Sequence, residues 1–223
     1  MFDFDDVLVN FSEIMYRAIR LNWREFSRYF KDPGDISNQI LMARRAYNLN
    51  EWLIRPEYVE YTSEQYSALQ IKIMAKFVEK IFSKDVYIDA EPTEFAKRTI
   101  MNPVYMENDN VSKVYILSRN ITKTQNDSKE KFIKKYFNNS KVQYISVNKG
   151  ERKSDAMKRC GIDFDLFIDD EIPNIRAVAE DFSSLNKKEF LIPKYGYNKM
   201  PPELQLLIEE KGGIITYYDP FKK

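Results

Sequence analysis

Apolar residues recur at helical spacing in the first third of this chain and as short runs in the remainder, and the change divides it in two. From Phe11 the positions Ile14, Met15, Ala18 and Leu21 keep helical spacing, Asn10 stands as a cap, and the pattern runs on to Phe30. Lys31-Asp32-Pro33-Gly34-Asp35 breaks it, and Ile36, Ile40, Leu41 and Ala43 begin a second helical pattern that fades near Asn48 to Asn50, so the pair reads as a helical hairpin. Pro56 interrupts the next stretch. Thr62-Ser63-Glu64-Gln65 is then a capping-box signature ahead of a third helix carrying Tyr66, Leu69, Ile73, Phe77 and Ile81.

After Lys84 strand and helix alternate. Pro92 stands where a helix can begin, Glu94 to Met101 reads as a short helix, and Met106 to Asn110 reads as a polar loop. Val114 to Leu117, Val142 to Val147, Leu166 to Ile168, Glu189 to Ile192 and Ile214 to Tyr217 are strand candidates. Helices over Asp127 to Phe137, Lys153 to Cys160, Pro173 to Glu180 and Pro201 to Lys211 separate them. Such alternation predicts an α/β protein with a doubly wound, Rossmann-like parallel sheet. Its first strand lies at the start of the chain, so residues 1–10 and 85–223 form the α/β core and residues 11–84 an all-helical insertion.

Composition narrows the chemistry. Lys plus Arg number 35 against 34 Asp plus Glu, so no global field recruits nucleic acid or an anionic membrane. The chain has no histidine and one cysteine, Cys160, which removes the common zinc ligands and any intramolecular disulfide. Six glycines are too few for a glycine-rich phosphate loop of the Walker or dinucleotide type. No apolar run of membrane length and no secretory signal is present, which predicts a cytoplasmic protein without a membrane partner.

In open parallel sheets ligands bind beyond the carboxyl ends of the strands, so the residues following each strand belong together. Asp3 and Asp5 follow the first strand, Ser118, Arg119 and Asn120 the second, and Asp169, Asp170 and Glu171 the strand ending at Ile168. Lys149 and Lys153 precede the helix that leads into that strand. A carboxylate can attack phosphorus and a second can shuttle the leaving-group proton, without histidine. Two carboxylates so close repel unless a cation lies between them, which predicts a hard metal with oxygen ligands, most simply magnesium.

The order and placement of these groups resemble the haloacid dehalogenase (HAD) superfamily. Its first motif is similar to Asp3-Phe4-Asp5-Asp6-Val7-Leu8, with Asp6 where the family commonly has glycine. Its second resembles Tyr115-Ile116-Leu117-Ser118, and its fourth Leu166-Phe167-Ile168-Asp169-Asp170 with Asn174 four residues on. The resemblance covers roughly residues 1–10 and 85–200. It implies Asp3 as nucleophile forming an aspartyl-phosphate, Asp5 as acid and base, Ser118 as hydrogen-bond donor to the phosphoryl oxygens, and a lysine that neutralises them. Lys153 is preferred for that lysine over Lys149. Magnesium would rest on Asp3, the Asp5 backbone carbonyl and Asp170, with Asp169 behind them or as a further ligand. Arg119 and Asn120 would lie beside the substrate, and residues 11–84 would be a cap closing over the site.

Plainer readings stand beside these. Asp169 and Asp170 taken alone would cap the helix near Pro173, both lysines belong equally well to a solvated basic turn, and Ser118 taken alone is an ordinary strand end. The run from Lys129-Glu130-Lys131 to Lys134-Lys135 reads as the wet face of an amphipathic helix burying Phe132, Ile133, Tyr136 and Phe137. In the insertion, Arg17, Arg20, Arg24, Arg44, Arg45 and Arg55 could meet an anionic substrate, and Tyr47, Trp52 and Tyr66 could stack on a base. Tyr197-Asn198 resembles a pair found in nucleotidase-like members. The expected activity is magnesium-dependent hydrolysis of a small phosphomonoester, with a nucleoside monophosphate favoured. Phosphorylated nucleic-acid ends and a silent binding module are the alternatives. Only Met1 and Phe2 precede Asp3, which predicts either a very short first strand or a native N-terminus longer than this sequence.

Overall fold

The computed structural model describes residues 1–30, 64–82, 84–195 and 198–219. Six strands, β1 (Phe2–Asp3), β2 (Val114–Arg119), β3 (Val142–Val147), β4 (Leu166–Ile168), β5 (Glu189–Pro193) and β6 (Ile214–Tyr218), form one sheet in the order β3-β2-β1-β4-β5-β6. Every pair is parallel. This is the α/β, Rossmann-like arrangement that the alternation of elements predicts. The chain builds outward from β1 through β2 to β3 and then returns to place β4 on the other side of β1. The crevice at the carboxyl ends of β1 and β4 is therefore the switch point where ligands of such sheets bind.

β1 is two residues long, yet it is one of the two central strands. Phe2 pairs with Ile116 on one side and Ile168 on the other, and Asp3 pairs with Leu117. It is paired along both of its edges, by two residues on one side and one on the other. Side chains alternate across the sheet, and the two faces bury different helices. Phe2, Ile116 and Ile168 join Ile14, Phe77 and Phe132 of α1 (Phe11–Leu21), α3 (Glu64–Phe82) and α6 (Lys123–Tyr136) in one apolar cluster. Leu117, Phe167 and Phe190 join Met157, Val178 and Leu204 of α7 (Lys153–Arg159), α8 (Ile172–Asp181) and α9 (Pro202–Glu210) in the other. The described helices of the insertion thus bury their apolar stripes against the same cluster as the sheet.

Local chemistry explains where element ends depart from the expectation. The first helix does not run unbroken to Phe30. Asn22 turns its side-chain amide onto the Ala18 carbonyl at 2.8 Å, ending α1, and a separate short α2 (Trp23–Phe26) follows. Beyond α4 (Glu94–Arg98), α5 (Pro103–Glu107) replaces part of the expected polar loop. Asn102 accepts from the Val104 N–H at 3.0 Å and Pro103 holds the first-turn backbone angle. The helix expected at Asp127 starts at Lys123, capped by the Thr122 hydroxyl accepting from the Gln125 N–H at 3.0 Å. The second arm of the expected hairpin, at 36–50, and Arg44, Arg45, Tyr47, Trp52, Arg55, Pro56 and Tyr197 lie outside the described residues. Among the described residues no helix is long and apolar enough to cross a membrane.

Candidate functional site

Two faces of one sheet meet over the end of β1. Asp3, the last residue of that strand, lies on the α7 face, where the first turn of α7 brings in Lys153. Asp5, two residues on and past the strand, reaches the α6 face, where Lys129 lies. Between them opens a cleft of about 230 Å³ lined by Asp3, Asp5, Ser118, Lys153 and Asp170, with Phe11, Phe82 and Ile121 forming its apolar side. Arg119, Gln125, Glu171 and Asn174 also line it.

The turn that separates Asp3 from Asp5 is held by the backbone. Phe4 N–H donates to Asp3 Oδ1 at 2.7 Å, and the Phe4 carbonyl accepts from Leu8 and Val9. Asp6 adopts φ of 55°, the left-handed region that disfavours most side chains and suits glycine. Asp is among the residues that tolerate it, because a short polar side chain can bond locally. Here Asp6 Oδ1 accepts from the Phe11 N–H at 3.0 Å, and the Asp6 carbonyl accepts from the Tyr195 hydroxyl at 2.6 Å.

Lys153 is buried and forms two ion pairs, at 2.7 Å to Asp3 Oδ1 and 2.7 Å to Asp169 Oδ2. Burial alone would lower its proton affinity, but the two carboxylates outweigh burial and hold the ammonium well above its ordinary range. Asp3 is pushed up to about 6, chiefly by burial. Lys153 draws it back, and Asp169 and Asp5 add repulsion. Asp169 is also raised by burial against the pull of Lys153. Lys149, by contrast, is exposed in the loop after β3 and does not line the cleft.

The acidic pair after β4 divides its work. Asp169 spends one oxygen on Lys153 and the other on the Glu171 N–H at 2.9 Å and the Asn174 amide at 3.1 Å, so it steadies Lys153 and does not line the cleft. Asp170 is buried and faces the cleft. The Asn198 amide donates to its backbone carbonyl at 3.3 Å from behind. Oxygens of Asp3, Asp169 and Asp170 lie within 4.8 Å of one another. Asp3 and Asp170 line the cleft and Asp169 does not, so Asp3 and Asp170 are the two carboxylates best placed to hold a cation there.

Asp5 does not offer its side chain to that cluster. Its Oδ2 is 2.6 Å from Lys129 Nζ and its Oδ1 accepts from the Tyr87 hydroxyl at 2.8 Å. Its backbone carbonyl accepts no hydrogen bond among the described residues. Four carboxylates, Asp3, Asp5, Asp169 and Asp170, outnumber the two buried ammonium groups of Lys129 and Lys153 that pair with them, and a bound cation would offset part of their mutual repulsion. An all-oxygen donor set of this kind suits magnesium.

Lys129 is the group that sequence reasoning missed. Reading the basic run as a uniformly wet helix face is incorrect at this position: Lys129 is fully buried, with Phe132 and Ile133 on the same side of α6. Its spacing was the available signal, since Lys129 lies three and four residues before those apolar positions and shares their stripe. Lys134 and Lys135 are exposed as expected. Asn120 is not brought to the cleft. Its amide is directed to Tyr144 at 2.8 Å and Ser146 at 2.9 Å, which fastens the end of β2 to β3. Arg119 does line the cleft. Of the arginines considered in the insertion, Arg17 donates to the Asp89 carbonyl at 2.8 Å, and neither Arg20 nor Arg24 lines the cleft.

No family model, curated protein or solved structure matches this chain.

Proposed function

We propose that this protein is a magnesium-dependent phosphomonoester hydrolase of the HAD type, in which residues 11–84 act as a cap over the cleft. The observation that carries this reading is the convergence of Asp3, Asp5, Ser118, Lys153 and Asp170, from four separate stretches of sequence, on one cleft at the switch point of a parallel sheet. Asp3 supplies the nucleophilic oxygen: an Asp3 oxygen bonds to phosphorus as the ester oxygen leaves, giving an aspartyl-phosphate. Asp5 delivers the proton to the departing alcohol and then takes one from the water that hydrolyses the acyl phosphate. The Ser118 hydroxyl and the Lys153 ammonium bind the phosphoryl oxygens and stabilise charge as it develops. Magnesium, held by Asp3, Asp170 and the Asp5 carbonyl, would screen the carboxylates from the incoming phosphate. Phe11, Phe82 and Ile121 make one side of the cleft apolar and favour a leaving group with an apolar surface.

The reading is tested by phosphate release from an aryl phosphate with magnesium, with chelator, and with the Asp3→Asn variant. Activity that needs both the metal and Asp3 supports it. A silent phosphate-binding module is favoured by one observation: Asp5 meets a partner at each oxygen in the resting protein. Phosphate binding without hydrolysis of any ester would select that reading.

A further inference from the structure

Lys129 has no place in the roles assigned so far, yet its burial demands an account. Removing an ammonium from water costs several kcal/mol, at order of magnitude, unless its donors are met. All three are. Lys129 Nζ lies 2.6 Å from Asp5 Oδ2, 2.6 Å from Ser118 Oγ and 3.2 Å from the Arg119 carbonyl. The faces of Phe4 and Tyr87, at 5.2 and 5.5 Å, enclose it. It does not line the cleft, so it acts on a ligand only through the groups it holds.

We propose that Lys129 is a positioning residue that fixes Asp5 and Ser118 together for proton transfer and phosphoryl binding. An ammonium can only donate, so the Ser118 oxygen must accept from it. The Ser118 O–H is then turned away from Lys129, and the cleft is the open direction. At Asp5 the ammonium engages one carboxylate oxygen from the buried side while the Tyr87 hydroxyl engages the other. Two of the roughly four lone-pair positions of the carboxylate are so occupied, and the remainder are presented at fixed angles toward the cleft. Tyr87 is itself anchored: its N–H donates to the Ser128 hydroxyl, one residue before Lys129 on α6, at 3.4 Å. One turn of α6 therefore sets the orientation of both groups.

This inference rests on the phosphatase reading, and leaving-group chemistry tests it. An alkyl phosphate needs a proton for its departing alkoxide, whereas an aryl phosphate with an acidic phenol needs little help. Lys129→Met keeps the volume and removes the donors. We expect it to lower kcat for an alkyl phosphomonoester at least about tenfold more than kcat for the aryl ester, a part of the 10²- to 10⁴-fold that acid–base help is worth. In an Asp5→Asn background the same substitution should leave that ratio unchanged, because the group it acts through is gone. Lys129→Gln, which retains donors on a shorter neutral chain, carries the same comparison should the Met variant not fold. Parallel loss on both esters overturns the role of Lys129 toward Asp5, loss on neither overturns its role altogether, and both leave the phosphatase reading standing. A wild-type protein that releases phosphate from neither ester removes both.

Discussion

Lys153 Nζ lies 2.7 Å from Asp3 Oδ1, so the proposed nucleophile is paired with the cation that would receive its phosphoryl target. The pair is buried and is completed by Asp169 on the far side of the ammonium. Removing the cation leaves two buried carboxylates facing each other.

Lys153→Met should accordingly lose activity by about 10²- to 10³-fold, the usual consequence of deleting one preorganised donor. In urea it should also lose stability, by about 3–5 kcal/mol, as expected when one partner of a buried ion pair is removed. Lys149→Ala, at an exposed loop position, should stay within about 0.5 kcal/mol of the parent and keep its activity. Comparable losses in the two variants would contradict the assignment.

Magnesium affinity should depend on pH through Asp3. With its carboxyl near pH 6 in the metal-free protein, the group is ionised above that value and protonated below it. A cation requires the ionised form, so the apparent dissociation constant should be flat above about pH 6 and rise about tenfold per unit below it. Stability of the metal-free protein follows the opposite sense. Between the ordinary value of 3.8 and about 6 the folded state binds more protons at Asp3 than the unfolded chain does. The stability Asp3 contributes is therefore full below 3.8 and lost as pH rises through about 6. Thermal melts with and without magnesium should diverge most above pH 6; equal divergence at pH 5 and pH 7.5 would count against this.

Much of this site was legible because strand ends in a parallel sheet can be counted from apolar runs. Asp3 ends β1, Ser118 is the penultimate residue of β2 and Asp170 lies two residues past β4, and each lines the cleft. Lys153 was legible as the opening residue of a helix and was preferred over Lys149 on that ground, and the geometry places Lys153 in the cleft and Lys149 outside it. Asn120 and Lys129 were not legible. Asn120 is two residues past Ser118, and only the packing of β2 on β3 directs its amide to Tyr144 and Ser146. A buried lysine is rare enough that charge alone argues for solvent, and the carboxylate that keeps Lys129 inside is 124 positions away in sequence.

Asp6 stores a small strain that substitution should reveal. A β-branched residue cannot adopt its φ of 55° without a cost of about 1–3 kcal/mol, and it would also forfeit the hydrogen bond to the Phe11 N–H. Asp6→Val should therefore lower the urea midpoint clearly. Asp6→Gly, which gains backbone freedom while losing the same bond, should change it much less. An Asp6→Val protein as stable as the Gly variant would show that this turn is not held as described.

Asp5→Asn should separate binding from turnover. The amide keeps the size of the side chain and cannot shuttle the proton, so turnover of an alkyl phosphate should fall by about 10²- to 10⁴-fold. Binding of inorganic phosphate with magnesium, read by calorimetry, should be little changed. Retained turnover would remove Asp5 from the proposed chemistry.

The central claim is that Asp3 becomes phosphorylated. The most direct measurement is acid quenching of the protein during turnover of an aryl phosphate with magnesium, followed by peptide mass spectrometry. The account predicts a phosphoryl group on the peptide containing Phe2-Asp3-Phe4, located on Asp3 and absent from Asp3→Asn. Steady release of phosphate with no phosphoryl group on Asp3 at any quench time would contradict it.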